Sequence, residues 1–122
     1  MNKDDFFVIA YYLLSHLYWC LKHGKRSDKQ FLTLEAYPVN INERYLMFIY
    51  SELLRKGYVT GVIIGKTAIP GKGREKALKS YKDAQITADG IEYLQRNSTM
   101  GKAWNASQDS GGLLLEIVNS FK

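Results

Sequence analysis

Six cations fall within one short stretch of this chain. Lys66, Lys72, Arg74, Lys76, Lys79 and Lys82 lie in "KTAIPGKGREKALKSYKD", 66–83, against only Glu75 and Asp83. The segment carries most of the formal net charge of +5. Cations at that density on a projecting loop suit a polyanion, because each lysine or arginine set on a phosphate releases counterions. An earlier helical segment, 41–56, with Asn40 just before it, holds groups that could reach base edges. Arg44 suits guanine, Asn40 and Asn42 suit adenine or phosphate, and Ser51 and Arg55 lie further along an exposed side. Lys25 and Arg26 extend the footprint. Two features argue the other way. A lysine-rich loop is often only a solvated loop, and Met47 and Phe48 on the outer side of 41–56 suit a protein partner better than a DNA groove.

The remaining reactive residues do not make a catalytic centre. "GVIIGKT", 61–67, resembles a phosphate loop but leaves three residues between its glycines where four are needed. "GKG" at 71–73 lacks the following Ser or Thr. His16 and Cys20 are four apart on a helix and could share a metal, yet only His23 stands near enough in sequence to add a third ligand. A lone buried cysteine is more often a small apolar filler. No nucleophile motif is present and the acidic residues are scattered. No enzyme activity, cofactor or metal is expected.

The elements that position these groups follow from periodicity and end signals. "FFVIAYYLLSHLYWC", 6–20, is apolar enough to suggest a membrane span or a secretion signal. Its run of about 15 apolar residues falls short of the roughly 20 a spanning helix needs. The bulky Leu17, Tyr18 and Trp19 before Cys20 exclude a cleavage site there. The spacing predicts instead a helix over 6–21 with two apolar stripes. Phe6, Ile9, Ala10, Leu13, Leu17 and Leu21 make one; Val8, Tyr12, Ser15 and Trp19 make the other. Gly24 stops it. A helix apolar on both sides needs two covers. The body of the domain is one; a C-terminal helix over 110–121, with Leu113, Leu114, Ile117, Val118 and Phe121, or a second subunit, is the other. A single cysteine excludes an intrachain disulfide and fits a reducing cytoplasm.

Thr33 is expected to cap one helical turn, "LEAY", before Pro38. Asn40 and Glu43 have capping-box spacing for the helix 41–56, and Gly57 ends it. "YVTGVIIG", 58–65, reads as a strand, 66–83 as a loop or long hairpin connection, and "AQIT" as a returning strand. Thr87 caps "ADGIEYLQRN", in which Gly90 implies close packing against a neighbour. "STMGKAWNAS" reads as a further short helix anchored by Trp104.

Two motifs then carry a family resemblance. Lys56, Gly57 and Tyr58 close the third helix. Ile86, Thr87, Gly90, Tyr93 and Leu94 follow the basic loop, with Asn97 and Ser98 beyond. This pattern resembles the YjcQ family, short proteins of Gram-positive bacteria and their prophages. The resemblance covers 53–103 and implies a winged helix-turn-helix and a prophage setting, but no activity. The expected architecture is therefore α+β and mostly helical: one domain, 1–122, with its core over 4–97. It is a winged helix-turn-helix with a two- or three-stranded hairpin wing, and a C-terminal helical extension over 98–122. The expected role is a cytoplasmic, prophage-type transcriptional regulator that binds double-stranded DNA. Helix 41–56 would enter the major groove and the wing, 66–82, would lie on the backbone. The alternative is a protein-interaction module on the same scaffold, with homodimer contacts through helices 6–21 and 110–121. No membrane contact is expected.

Overall fold

The computed structural model describes residues 2–71 and 73–98. Lys72, Trp104 and the C-terminal helix expected over 110–121 lie outside the described residues, as does the extension from 99 onward. Among the described residues, four helices and two small antiparallel sheets make an α+β arrangement compatible with a winged-helix-like fold.

α1 (Phe6–His23) is the central element. Every residue from Val8 to Leu17 is buried, which follows from two apolar stripes rather than one. It meets α2 (Lys29–Leu32), α3 (Glu43–Arg55), α4 (Ala88–Arg96) and strand β4 (Gln85–Ile86). Leu21, placed in the first stripe by its spacing, is exposed, because that stripe runs off the end of the core. Gly24 ends the helix at φ 63°, with Lys25 N–H donating to the Cys20 carbonyl at 2.9 Å. None of the helices among the described residues is long and apolar enough to cross a membrane.

α2 is a correction to the expected "LEAY" turn. Its cap is Asp28, whose side chain accepts from Gln30 N–H at 2.9 Å, and Thr33 ends the helix instead of starting one. Leu34 then takes a left-handed φ of 62°. That conformation costs a branched residue about 1–2 kcal/mol, which burial of its side chain in the core offsets.

α3 is also capped differently from the expectation. Asn42, not Asn40, accepts from Tyr45 N–H at 2.9 Å, so the helix begins at Glu43. Gly57 closes it at φ 73°, with Tyr58 N–H donating to Leu53 O and Gly57 N–H to Leu54 O.

The expected strand 58–65 is broken at Gly61, where φ is 79° and an added Cβ would lie 1.9 Å from the Asp83 carbonyl oxygen. Its first part, β1 (Val59–Thr60), pairs with β4. Its second continues as β2 (Ile63–Ile69), paired with β3 (Gly73–Ser80). The basic segment is thus largely strand, a hairpin turning at Pro70 and Gly71.

Three tyrosine hydroxyls tie this frame together. Tyr50, fully buried, donates to the Leu32 carbonyl at 2.6 Å and satisfies the end of α2. Tyr45 donates to the Asp4 carbonyl at 2.7 Å and Tyr37 to that of Lys3, which fixes the chain entering α1.

Candidate nucleic-acid interface

The β2–β3 ladder decides where the basic side chains go. Ile64 pairs with Leu78, Lys66 with Lys76, and Ala68 with Arg74. Directly opposed residues share a face, and so do alternate residues along a strand. Ile64 and Leu78 pack against the core. The same face therefore begins as core at the base of the hairpin and becomes cationic towards its tip, where Lys66, Lys76 and Arg74 overhang α3. Between hairpin and helix lies a groove of about 470 Å³. Glu43, Arg44, Met47, Phe48 and Ser51 line it from α3, and Lys66, Arg74, Glu75 and Lys76 from the hairpin. Four basic and two acidic residues line it, although the register sets Glu75 with Thr67 on the other face of the hairpin. Among the described residues none of the four groove cations forms an ion pair with an acid, whereas Arg55 pairs with Glu52.

The residues expected to contact DNA divide sharply. Arg44, Ser51, Lys66, Arg74 and Lys76 come together in the groove. Arg55 lies eleven residues beyond Arg44, close to the same helical stripe. Its guanidinium is held by Glu52 through two hydrogen bonds, Nε–Oε2 at 2.9 Å and Nη2–Oε1 at 3.0 Å. Lys79 sits at the register shift between β2 and β3, crosses Gly65 and donates to Thr67 Oγ1, away from the groove face. Lys82 is exposed beyond the end of β3, and Asn40 is exposed ahead of α3. Asn42 is engaged as the cap. Lys72 is outside the described residues.

Met47, expected on the outer side of α3, is instead buried, at 3% exposure, and forms part of the groove floor. Phe48 does project, at 55%. Its ring meets that of Phe6 edge-on at 5.9 Å, and Phe6 meets the exposed Phe7 at 5.2 Å. The surface of α3 thus grades from cationic on the hairpin side to aromatic on the α1 side. Sequence spacing does not separate Met47 from Phe48, since one residue's rotation on a helix decides which of them the hairpin covers.

His16 and Cys20 have a structural task. His16 Nε2 accepts from Asp28 N–H at 3.0 Å, which fixes the proton of the neutral ring on Nδ1. The ring stacks on Phe31 at 4.2 Å. Burial outweighs the nearby Asp28 carboxylate and lowers its pKa to about 4. Cys20 Sγ lies 3.6 Å from His16 Nε2 and 3.6 Å from the Arg26 carbonyl, and burial pushes its thiol up to about 11. The pair joins α1 to the start of α2. Among the described residues no group of three possible metal ligands occurs.

The motif residues also meet, but to hold the fold. Thr87 N–H donates to the Tyr58 carbonyl at 3.0 Å, and its hydroxyl donates to the Gly57 carbonyl. Thr87 Oγ1 accepts from Gly90 N–H at 3.1 Å. The rings of Tyr58 and Tyr93 lie 5.1 Å apart, and Asn97 Nδ2 donates to the Tyr93 carbonyl at 2.8 Å. The end of α3 and the start of α4 are one joint, closed by residues from both motifs.

The model of one protein family, described as YjcQ protein, matches residues 11–109. No curated protein and no solved structure matches the chain.

Proposed function

Because this chain belongs to the YjcQ family and carries a cationic groove beside a capped helix, we propose that it is a winged-helix DNA-binding protein. In this reading it is a prophage-type transcriptional regulator working in the cytoplasm, without enzyme activity. α3 approaches the major groove by Arg44 and Ser51 while the β2–β3 hairpin lies along the phosphates. One observation carries the reading: Arg44, Lys66, Arg74 and Lys76 line one groove from two walls without a paired acid among the described residues. Such a field favours a polyanion.

The test is anisotropy of a labelled duplex at several salt concentrations. Expected is binding whose logarithm falls linearly with log salt, by about 0.9 per phosphate neutralised. Lys66→Glu with Arg74→Glu should flatten that slope. Absent or salt-insensitive binding would overturn the reading.

A protein-interaction role is the second reading, supported by Phe7 and Phe48, each more than half exposed and joined through Phe6. It predicts a mass by light scattering that rises with concentration and returns to the monomer value in Phe7→Ser with Phe48→Ser.

A further inference from the structure

The groove between α3 and the hairpin has a second property. Its volume of about 470 Å³ cannot admit a duplex, but it falls in the range of small-ligand clefts. Its lining combines a cationic part and an apolar part, with two acids, Glu43 and Glu75, leaving the four cations in excess. On the wing side stand Lys66, Arg74 and Lys76, and Arg44 faces them from α3. On the helix side, Met47 is an apolar floor and Phe48 is an open ring. Ser51 adds a hydroxyl that both donates and accepts.

We propose that this groove binds a nucleotide, with its phosphates on Lys66, Arg74 and Lys76 and its base against Phe48 and Met47.

The two halves of the lining select that class together. A bare phosphate would leave the apolar floor unused. A fatty acid would need a longer apolar channel than one ring and one methionine. A planar base suits an exposed aromatic ring, and base–aromatic stacking tolerates any base. The opposed Lys66 and Lys76 repel each other in the free protein. A di- or triphosphate relieves that repulsion through charge-assisted hydrogen bonds to both. The proposal shares its cations with the DNA-binding reading and rests on that reading in one respect only: a bound nucleotide competes with duplex DNA.

The experiment is calorimetric titration of the full chain, at constant ionic strength, with ADP, GDP, pyrophosphate and adenosine. Either nucleotide should bind at least tenfold more tightly than pyrophosphate or adenosine alone. Phe48→Ala should weaken the nucleotides by at least about fivefold and up to about 150-fold, the range for losing one stacked base, and leave pyrophosphate unchanged. Lys76→Glu should weaken nucleotides and pyrophosphate alike. Phe48 is exposed, so its truncation removes no core, and an unchanged melting temperature verifies the fold.

Nucleotides that bind no better than pyrophosphate, or that ignore Phe48→Ala, overturn the proposal. Displacement of a labelled duplex separates the two ideas. Salt-sensitive duplex binding without nucleotide binding sinks the proposal and leaves the DNA reading intact. Nucleotide binding without duplex binding does the reverse, and loss of both sinks both.

Discussion

Lys66 and Lys76 stand directly opposite each other across the β2–β3 ladder, on the face that overlooks α3. Like charges in that position destabilise a sheet, while opposite charges support it by roughly 0.2–1 kcal/mol. Their side chains nevertheless share the groove with Arg74 and Arg44. A hairpin selected for stability alone would carry a carboxylate at one of these two sites.

Lys76→Glu should therefore move stability and binding in opposite directions. A carboxylate placed opposite Lys66 should raise unfolding free energy by a few tenths of a kcal/mol, up to about 1. The same change should weaken duplex binding and reduce its salt slope by about 1 or more. Urea denaturation and anisotropy measure the two effects separately. A variant that loses stability and keeps its affinity would remove the groove from the binding surface.

Gly90→Ala sets two effects against each other. Helix propensity favours alanine by up to about 1 kcal/mol in a helix interior and by less at Gly90, in the first turn of α4. The added Cβ would lie 2.5 Å from the Tyr58 carbonyl oxygen and 2.7 Å from Ile86 Cγ1. The carbonyl is backbone and belongs to the joint closed by Thr87, so it cannot retreat cheaply. Overpacking of this kind costs typically about 1–3 kcal/mol, and that effect wins. Thermal unfolding should show a lower midpoint; a rise would mean that α4 is free to shift off β4.

Some of this is legible in the sequence and the rest is hidden for physical reasons. Helix ends are readable because their signals are local: Gly24, Gly57 and Thr87 sit where their neighbours' backbone groups need them. Close packing at Gly90 is readable because a glycine in a helix needs a reason. The place of α2 is hidden because four residues carry no periodicity, and Asp28 with Gln30 is a weak signal on its own. The hairpin resembles a loop because Arg74, Glu75, Lys76 and Lys79 mask the alternation; Pro70 followed by Gly71 is the available turn signal. Placing Lys66, Arg74 and Lys76 together, and Lys79 apart, requires the register and its shift beside Ile64.

Tyr50→Phe isolates one hydrogen bond. Its hydroxyl satisfies the Leu32 carbonyl inside the core, and burial raises its pKa far above the ordinary tyrosine value. The ring would remain and fill the same space. A buried acceptor left without its partner costs about 1–3 kcal/mol. Equilibrium denaturation should register a loss of that size with an unchanged m-value. A loss well below about 1 kcal/mol would indicate that another donor reaches the Leu32 carbonyl.

His16 makes stability depend on pH in a defined window. The folded ring, with Nε2 occupied by Asp28 N–H and burial opposing charge, holds a pKa of about 4. The unfolded ring titrates near about 6.5. Between these values the unfolded chain binds the proton and the folded one does not, so unfolding becomes easier as pH falls. Stability from this group is complete above about pH 6.5. It declines by up to about 1.4 kcal/mol per pH unit towards pH 4, in total by about 3 kcal/mol. Below that both states are protonated and the decline from this group stops. Denaturation at pH 7.5, 5.5 and 4.5 measures the slope. The His16 imidazole nitrogen shifts by NMR should report a neutral ring with its proton on Nδ1 at pH 6. His16→Gln keeps an acceptor for Asp28 N–H and should flatten the slope over this window. A charged His16 ring at pH 6 in the folded protein would mean that Asp28 N–H bonds elsewhere and that α1 and α2 are joined differently.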